Sequence, residues 1–409
     1  MSESDQAVLT VPSALSDREG WLEPFDWYEQ MRDTGSVQYD ERRGVWDVFR
    51  YDEVKAVLDD DERFSVDPRN AASPRQNPDE GPIGGTMLTR DPPRHDELRS
   101  VVEEAFRPRQ LRELVPRMRT ITHELLDDAL ADADGQFDLV EALSYPLPVI
   151  VIAELLGVPS EEREQFKQWS DTLVRDTDDE TEAEAVVEAR EDAGEEMADY
   201  FARHLEERRE NPRDDLLTTI ATNEGAGGQL SHREALGTCT LLLTAGNITT
   251  TNLITNAVRC LDTQDAETHA RLADDEAALS SAIEETLRYR SPVQAILRNV
   301  TRETELDGKT LQAGEELVLW AGSANRDERQ FDDADTFVPD RSPNQHLGFG
   351  YGTHYCLGAP LARLEAKIAL DVLFDRLSGL EVVDTELQPV RSSFIYGVES
   401  LPVSYESAT

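Results

Sequence analysis

The stretch "HLGFGYGTHYCLGAPLAR" (His346 to Arg363) constrains this chain more tightly than any other. It sets one cysteine, Cys356, between a glycine-rich apolar turn and the start of a helix, with no second cysteine nearby. A residue just before a helix meets unpaired backbone N–H groups and the positive end of the helix dipole. Both favour thiolate over thiol. Pro360 suits the first helical turn, where a missing N–H costs little. Gly350, Gly352 and Gly358 allow backbone conformations and close approaches that a side chain would block. A turn of this shape presents its sulfur outward. Three uses of that sulfur stay open: a buried structural cysteine, a nucleophile with His354 as its base, or a metal ligand. The last requires further Cys or His ligands unless the metal arrives inside a cofactor, because porphyrin-bound iron needs only one axial protein ligand.

The remaining composition narrows the context. No run of about 18 apolar residues occurs, so no membrane span is expected. The opening "MSESDQAVLTVPSALSDREG" lacks the basic and apolar regions of a secretory signal. Cys239, Cys260 and Cys356 are odd in number and far apart, which is no disulfide framework and fits a reducing, cytoplasmic location. The charge is the outlier: 84 acidic against 40 basic residues give a formal net charge of −44. Such a chain is either disordered or folded under strong self-repulsion. The acids are interleaved with periodic apolar residues throughout, which points to a folded protein adapted to a salt-rich cytoplasm. The same charge excludes nucleic acid as a partner, since phosphate contacts need basic patches.

Hydrophobic periodicity predicts the organisation. "GVWDVFR" (Gly44 to Arg50) alternates as a strand and "YDEVKAVLDD" follows as a short helix. Residues 66 to 88, rich in Pro, Gly and Asn, read as a long loop, a length that tends to be functional. Asp96 to about Arg290 is mainly helical, with "PLPVIVIAELLGVP" as a core helix. Asp176 to Asp199 carries twelve acids and one Arg, a solvated helix or lid. Strand character follows from Pro292 to about Leu319, with turns at "LDGKT" and "QAGEE", then coil from Ala321 to His346 and a helix from about Leu357 to Leu377. "SSFIYGVESLPVSY" reads as a hairpin. The expected fold is mainly α with a smaller β-rich lobe (α+β), as one large domain over residues 1–409. Its helical lobe spans about 96–290 and 357–377, and its β-rich parts about 44–50, 292–319 and 381–405.

"FGYGTHYCLG" (Phe349 to Gly358) resembles the cysteine-ligand signature of the cytochrome P450 superfamily, Phe-Gly-x-Gly-x-His-x-Cys-x-Gly, with every fixed position filled. "EETLRYRSP" supplies Glu285 and Arg288 in the Glu-x-x-Arg pattern of that superfamily, three apart and so on one helix face. "FVPDR" supplies Arg341 as the third member of the same structural ion cluster. The resemblance covers the chain from about Trp21 to its end. It implies the P450 fold and haem b, with Cys356 as axial ligand to the iron. It further implies that His95, Arg99, Arg298 and His354 neutralise the haem propionates. Phe349 then packs beside the sulfur, while Gly350 and Gly358 belong to the same cofactor-binding turn.

On the oxygen side, "LLLTAGNITTTNLITNAV" (Leu241 to Val258) is an apolar helix interrupted by Ala245-Gly246 and three consecutive threonines. The resemblance implies that Ala245 and Gly246 let the helix approach the haem and that Thr249 handles dioxygen and its protons. The superfamily usually places an acid immediately before this threonine; here the position is Ile248. Proton delivery is therefore left to Thr249, Asn247, water or another side chain. Substrate contacts are expected from Leu241, Leu242, Val293, Ala295, Ile296, Phe394 and Ile395, and from the 66–88 and 171–199 regions. These are mostly apolar, so a hydrophobic small molecule is expected. The chain has no flavin or iron–sulfur motif, so a ferredoxin-type partner and its reductase must supply electrons. "RPRQLRELVPRMR" (Arg107 to Arg119), with five Arg and one Glu, is the expected docking patch. The implied activity is monomeric, haem-thiolate monooxygenation of an unactivated C–H bond. A peroxide-driven oxygenase and a non-catalytic haem sensor or ligand-binding protein are the alternatives.

Overall fold

In the computed structural model the described residues are 11–15, 17–72, 83–131, 135–174, 183–223, 229–383 and 386–408. Helices α1 (Arg94–Val102), α2 (Pro108–Ala131), α3 (Pro146–Leu156), α4 (His232–Leu261), α5 (Glu276–Tyr289) and α6 (Ala359–Arg376) enclose the main core. The apolar α3 is buried on nearly all sides and packs against α4. Helix α6 packs in turn on α2, α4 and α5. Sequence punctuation sets the boundaries. Ser231 and Glu234 form a reciprocal capping box at the start of α4, and Asp275 caps α5 through the N–H groups of Ala277 and Ala278.

Strands β1 (Val37–Asp40), β2 (Val45–Val48), β3 (Phe64–Ser65), β4 (Ile296–Val300) and β5 (Glu316–Leu319) form the larger sheet, in the order β1-β2-β5-β4-β3. Only β2 and β5 run parallel; the other neighbours are antiparallel. Antiparallel register sets Arg298 opposite Leu317, on the same face of β4 as Ile296 and Val300. The expected turn at "LDGKT" is a two-residue hairpin loop in which Asp307 and Gly308 both have positive φ (48° and 69°), the conformation Asp-Gly favours.

The C-terminal hairpin expected from "SSFIYGVESLPVSY" does not form. Pro402–Ser404 pairs instead with Glu381–Val382 and with Gln136–Asp138, a short strand inside the stretch read as helical. Ile395 and Val398 make isolated bridges to Val293 and Pro389. Val403, fully buried in the main core, is satisfied by distant partners that a local pattern does not reveal. The coil expected from Ala321 opens with one helical turn, Ala321–Ala324. Parts of the expected 66–88 loop (73–82) and of the acidic stretch (176–182) lie outside the described residues. From Ala183 to Glu210 the acidic stretch is an amphipathic helix, burying Val186, Met197 and Phe201 while Glu188, Glu191, Asp192 and Glu195 face solvent.

Candidate active site around Cys356

Gly350 and Gly352 hold φ near +70°, and a Cβ on Gly352 would sit 2.7 Å from the Leu58 carbonyl oxygen, so the turn needs glycine there twice over. Gly358 differs from expectation: its φ of −78° is open to any residue, and what distinguishes it is proximity, a Cβ there lying 4.0 Å from Cys356 Sγ. The Cys356 N–H donates to the Phe349 carbonyl at 3.0 Å and closes the turn. The Phe349 ring lies 4.5 Å from the Arg363 guanidinium. Arg363 in turn donates to Glu284 on α5 at 2.6 and 2.9 Å, and Glu284 also meets His346 Nε2 at 3.0 Å. Burial works against ionisation of Glu284, but the hydrogen bonds from Arg363 and His346 outweigh it and hold the carboxyl at about 2. This clamp ties α5, the cysteine turn and α6 together. Sequence reasoning missed it, although Glu284 adjoins Glu285.

Cys356 keeps accessible surface although protein surrounds most of the residue. Burial pushes its thiol pKa up, against the opposing Gly358 and Ala359 N–H groups and the charges of Arg99 and Arg363. This corrects the expectation that the helix start alone decides the matter: desolvation of the sulfur is the larger effect and opposes the backbone N–H groups and the arginines.

The histidines and arginines singled out from the sequence converge beside this turn. The His95 and His354 rings lie 4.4 Å apart, and Arg99 Nη1 donates to the Tyr355 carbonyl at 2.9 Å. His95 is buried, with Nδ1 2.8 Å from Asp96 Oδ1. Arg298 is 3% exposed and donates through Nη1 to the Leu297 carbonyl; among the described residues its Nε has no hydrogen-bond partner, and neither has His354 Nε2. Burial pushes the Arg298 guanidinium down to about 10. Burial, together with the charges of Arg298, His95 and Arg99, pushes His354 down to about 3. A buried cationic cluster with orphaned donors is costly unless anions meet it.

Along α4 from Leu241 to Val258, every residue but Thr244, Ala245, Gly246 and Thr249 is buried. Thr249 Oγ1 donates to the Ala245 carbonyl at 2.8 Å, one turn back. Two expectations change here. A Cβ on Gly246 would lie 3.3 Å from Ile152 Cγ1, so this glycine serves the close crossing of α4 over α3. Asn247 is fully buried on the opposite side of α4 from Ala245 and Thr249, with Nδ2 3.3 Å from Tyr145 Oη. Of the expected substrate contacts, Val293, Ile296, Phe394 and Ile395 are half-buried. Leu241, Leu242 and Ala295 are packed into the cores instead, Ala295 in the cluster with Trp320.

Glu285 and Arg288 are fully buried and doubly hydrogen-bonded at 2.8 Å. Arg341 Nε reaches both Glu285 oxygens at 3.0 and 3.1 Å, and Arg288 also donates to the carbonyls of Asn325, Ala334 and Thr336.

The family profile described as Cytochrome P450 matches residues 38–273 and 277–397. The chain belongs to the cytochrome P450 family. It is 43% identical to the putative cytochrome P450 YjiB of Bacillus subtilis, over 93% of each chain. It is 40% identical to the erythromycin C-12 hydroxylase of Saccharopolyspora erythraea, over 92% of this chain and 93% of that one. The crystal structure of CYP109E1 from Bacillus megaterium in complex with testosterone superposes with a TM-score of 0.88 at 44% identity, covering 95% of this chain and 99% of that one. This P450 is a monooxygenase with the mostly helical P450 fold, of a family that uses thiolate-ligated haem b. The residues present fit that group. An interior cysteine matches the iron ligand, and the orphaned Arg298 Nε and His354 Nε2 match the need of the two propionates for buried donors.

Proposed function

We propose that this P450 inserts one atom of dioxygen into an unactivated C–H bond of a hydrophobic small molecule, with electrons from a separate ferredoxin and its reductase. The observation that carries the reading is Cys356 beside Arg298 and His354, whose Nε and Nε2 atoms are buried without a hydrogen-bond partner among the described residues. Cys356 would hold the haem iron, and Arg298, His354, His95 and Arg99 its propionates. Bound haem supplies the oxygen chemistry, thiolate donation favouring O–O cleavage. The chain's own residues position and exclude: the small Ala245 leaves room over the helix, Thr249 offers a hydroxyl at the accessible strip, and Ile248 and the apolar lining keep water out. One relative is named as an erythromycin hydroxylase and another, CYP109E1, was crystallised with testosterone, which supports a steroid- or macrolide-sized lipophile. A panel of such compounds, screened for a haem spin-state shift and followed by product analysis, tests this. Hydroxylated product supports the reading, and binding without product under dioxygen and reductant contradicts it.

The electron-transfer face follows from the arginines of α2. Arg107 pairs with Glu103 and Glu104, Arg117 with Glu154, and Arg119 with Asp371. Arg109 and Arg112 are exposed and form no ion pair among the described residues. In a chain of net charge −44, these two cations are positioned to steer an acidic ferredoxin. The double substitution Arg109→Glu/Arg112→Glu is expected to slow reduction about tenfold at low salt, with convergence on wild type as salt screens the contact. Unchanged reduction rates would remove this face from consideration. We further propose that the acidic surface adapts a cytoplasmic, monomeric enzyme to high salt.

A further inference from the structure

A pocket of about 650 Å³ opens where residues 161–169, leading into the helix Arg163–Val174, face residues 200–207 of the helix Ala183–Glu210. None of its lining residues belongs to the site around Cys356. The buried Trp169 and Tyr200 form its aromatic floor, and the exposed Glu161 and Glu162 its rim. Tyr200 is 7% exposed, and its Oη is buried without a hydrogen-bond partner of ordinary geometry. His204 Nδ1 is also buried without one, the ring lying 4.4 Å from that of Tyr200. Burial pushes the His204 pKa below the usual histidine range, so the imidazole is neutral at neutral pH. Four carboxylates line the pocket against the single guanidinium of Arg203. Glu207 is committed to Arg208 and Arg213, whereas Glu161 and Glu162 form no ion pair among the described residues.

Buried acceptors without donors, beside unpaired carboxylates, call for a cation that carries N–H groups. A metal ion does not fit, since no three His, Cys, Asp or Glu among the described residues are placed to hold one. A guanidinium does fit. Its planar fork bonds a carboxylate through two N–H groups and leaves others for a hydroxyl and an imidazole nitrogen. It also stacks on aromatic faces, and Arg203 already lays its guanidinium 5.9 Å from the Tyr200 ring centroid. We propose that this pocket binds a small guanidinium compound. Glu162 is the partner of the fork, and Tyr200 Oη and His204 Nδ1, in the Nε2–H tautomer, are the further acceptors. The inference is independent of the monooxygenase reading.

The test is equilibrium dialysis of labelled methylguanidinium against the haem-loaded protein in concentrated KCl, which screens unspecific attraction to the acidic surface. One saturable site per chain is expected. Glu162→Gln should weaken it about tenfold, the size of a charge-assisted bond, and Tyr200→Phe about threefold, that of a neutral one. Glu188→Gln/Glu191→Gln, which removes two exposed charges elsewhere on the same helix, should leave binding unchanged. Melting temperatures establish that each variant is folded. Absence of a saturable site, an equal loss in the control variant, or full binding in both pocket variants would overturn the proposal. So would methylammonium or Mg²⁺ competing as well as methylguanidinium itself. N-acetylarginine amide presents the same cation as a protein side chain would. Affinity similar to that of methylguanidinium supports a free compound, and binding about tenfold tighter or more overturns it in favour of a peptide arginine.

Discussion

Arg288→Ala is expected to yield little folded, haem-loaded protein. Arg288 and Glu285 are fully buried, and the guanidinium satisfies both carboxylate oxygens and three backbone carbonyls at once. Its removal leaves Glu285 with Arg341, Asn344 and the Val338 N–H as partners, and strips the Asn325 and Ala334 carbonyls of these donors. Breaking a buried pair from one side costs about 3–5 kcal/mol. That is a large share of the roughly 5–15 kcal/mol that holds a domain folded. Lysine should not rescue it, because an ammonium cannot reproduce the planar fork. Lys367→Ala, which breaks the exposed pair with Glu276, is the control and should leave melting unchanged. Soluble yield, haem content and melting temperature measure the effect; an Arg288→Ala protein that melts like wild type contradicts it.

The second large effect is on salt. At −44 the exposed carboxylates repel one another, and the helix Ala183–Glu210 alone turns Glu188, Glu191, Asp192, Glu195, Glu196 and Asp199 outward. Screening length falls from about 8 Å at physiological ionic strength to about 3 Å at 1 M, shorter than most spacings between surface charges. Relief of several kcal/mol is expected, and about 2–4 °C of melting temperature per kcal/mol in a large domain gives a rise of about 10 °C or more between dilute buffer and concentrated KCl. Sucrose strengthens burial without screening charge, so a rise in KCl well beyond that in sucrose isolates electrostatics. An unchanged melting temperature in KCl contradicts the reading of the acidic surface.

Local features were legible in the sequence. The glycines and proline around Cys356 fix a turn whose geometry depends on neighbours in the chain, and the Asp-Gly loop likewise declares its own conformation. The Glu-x-x-Arg pair was legible because residues three apart on a helix share a face. What escaped depended on distant partners. Glu284 acquires meaning only when Arg363 and His346 fold onto it. Gly246 looked like clearance on the accessible face of α4, yet it answers to Ile152 on α3. The misread C-terminal hairpin is the same lesson in strands, since Pro402–Ser404 has the pattern of a hairpin arm but pairs with Gln136–Asp138.

The central claim is that Cys356, ionised, binds the iron of a haem inside this fold. Reduced wild-type protein under carbon monoxide, in concentrated KCl, is predicted to show the red-shifted Soret band of thiolate ligation, and Cys356→Ser to lose it while keeping the melting behaviour of a folded protein. A wild-type spectrum without that band, or a Cys356→Ser spectrum that retains it, would contradict the account.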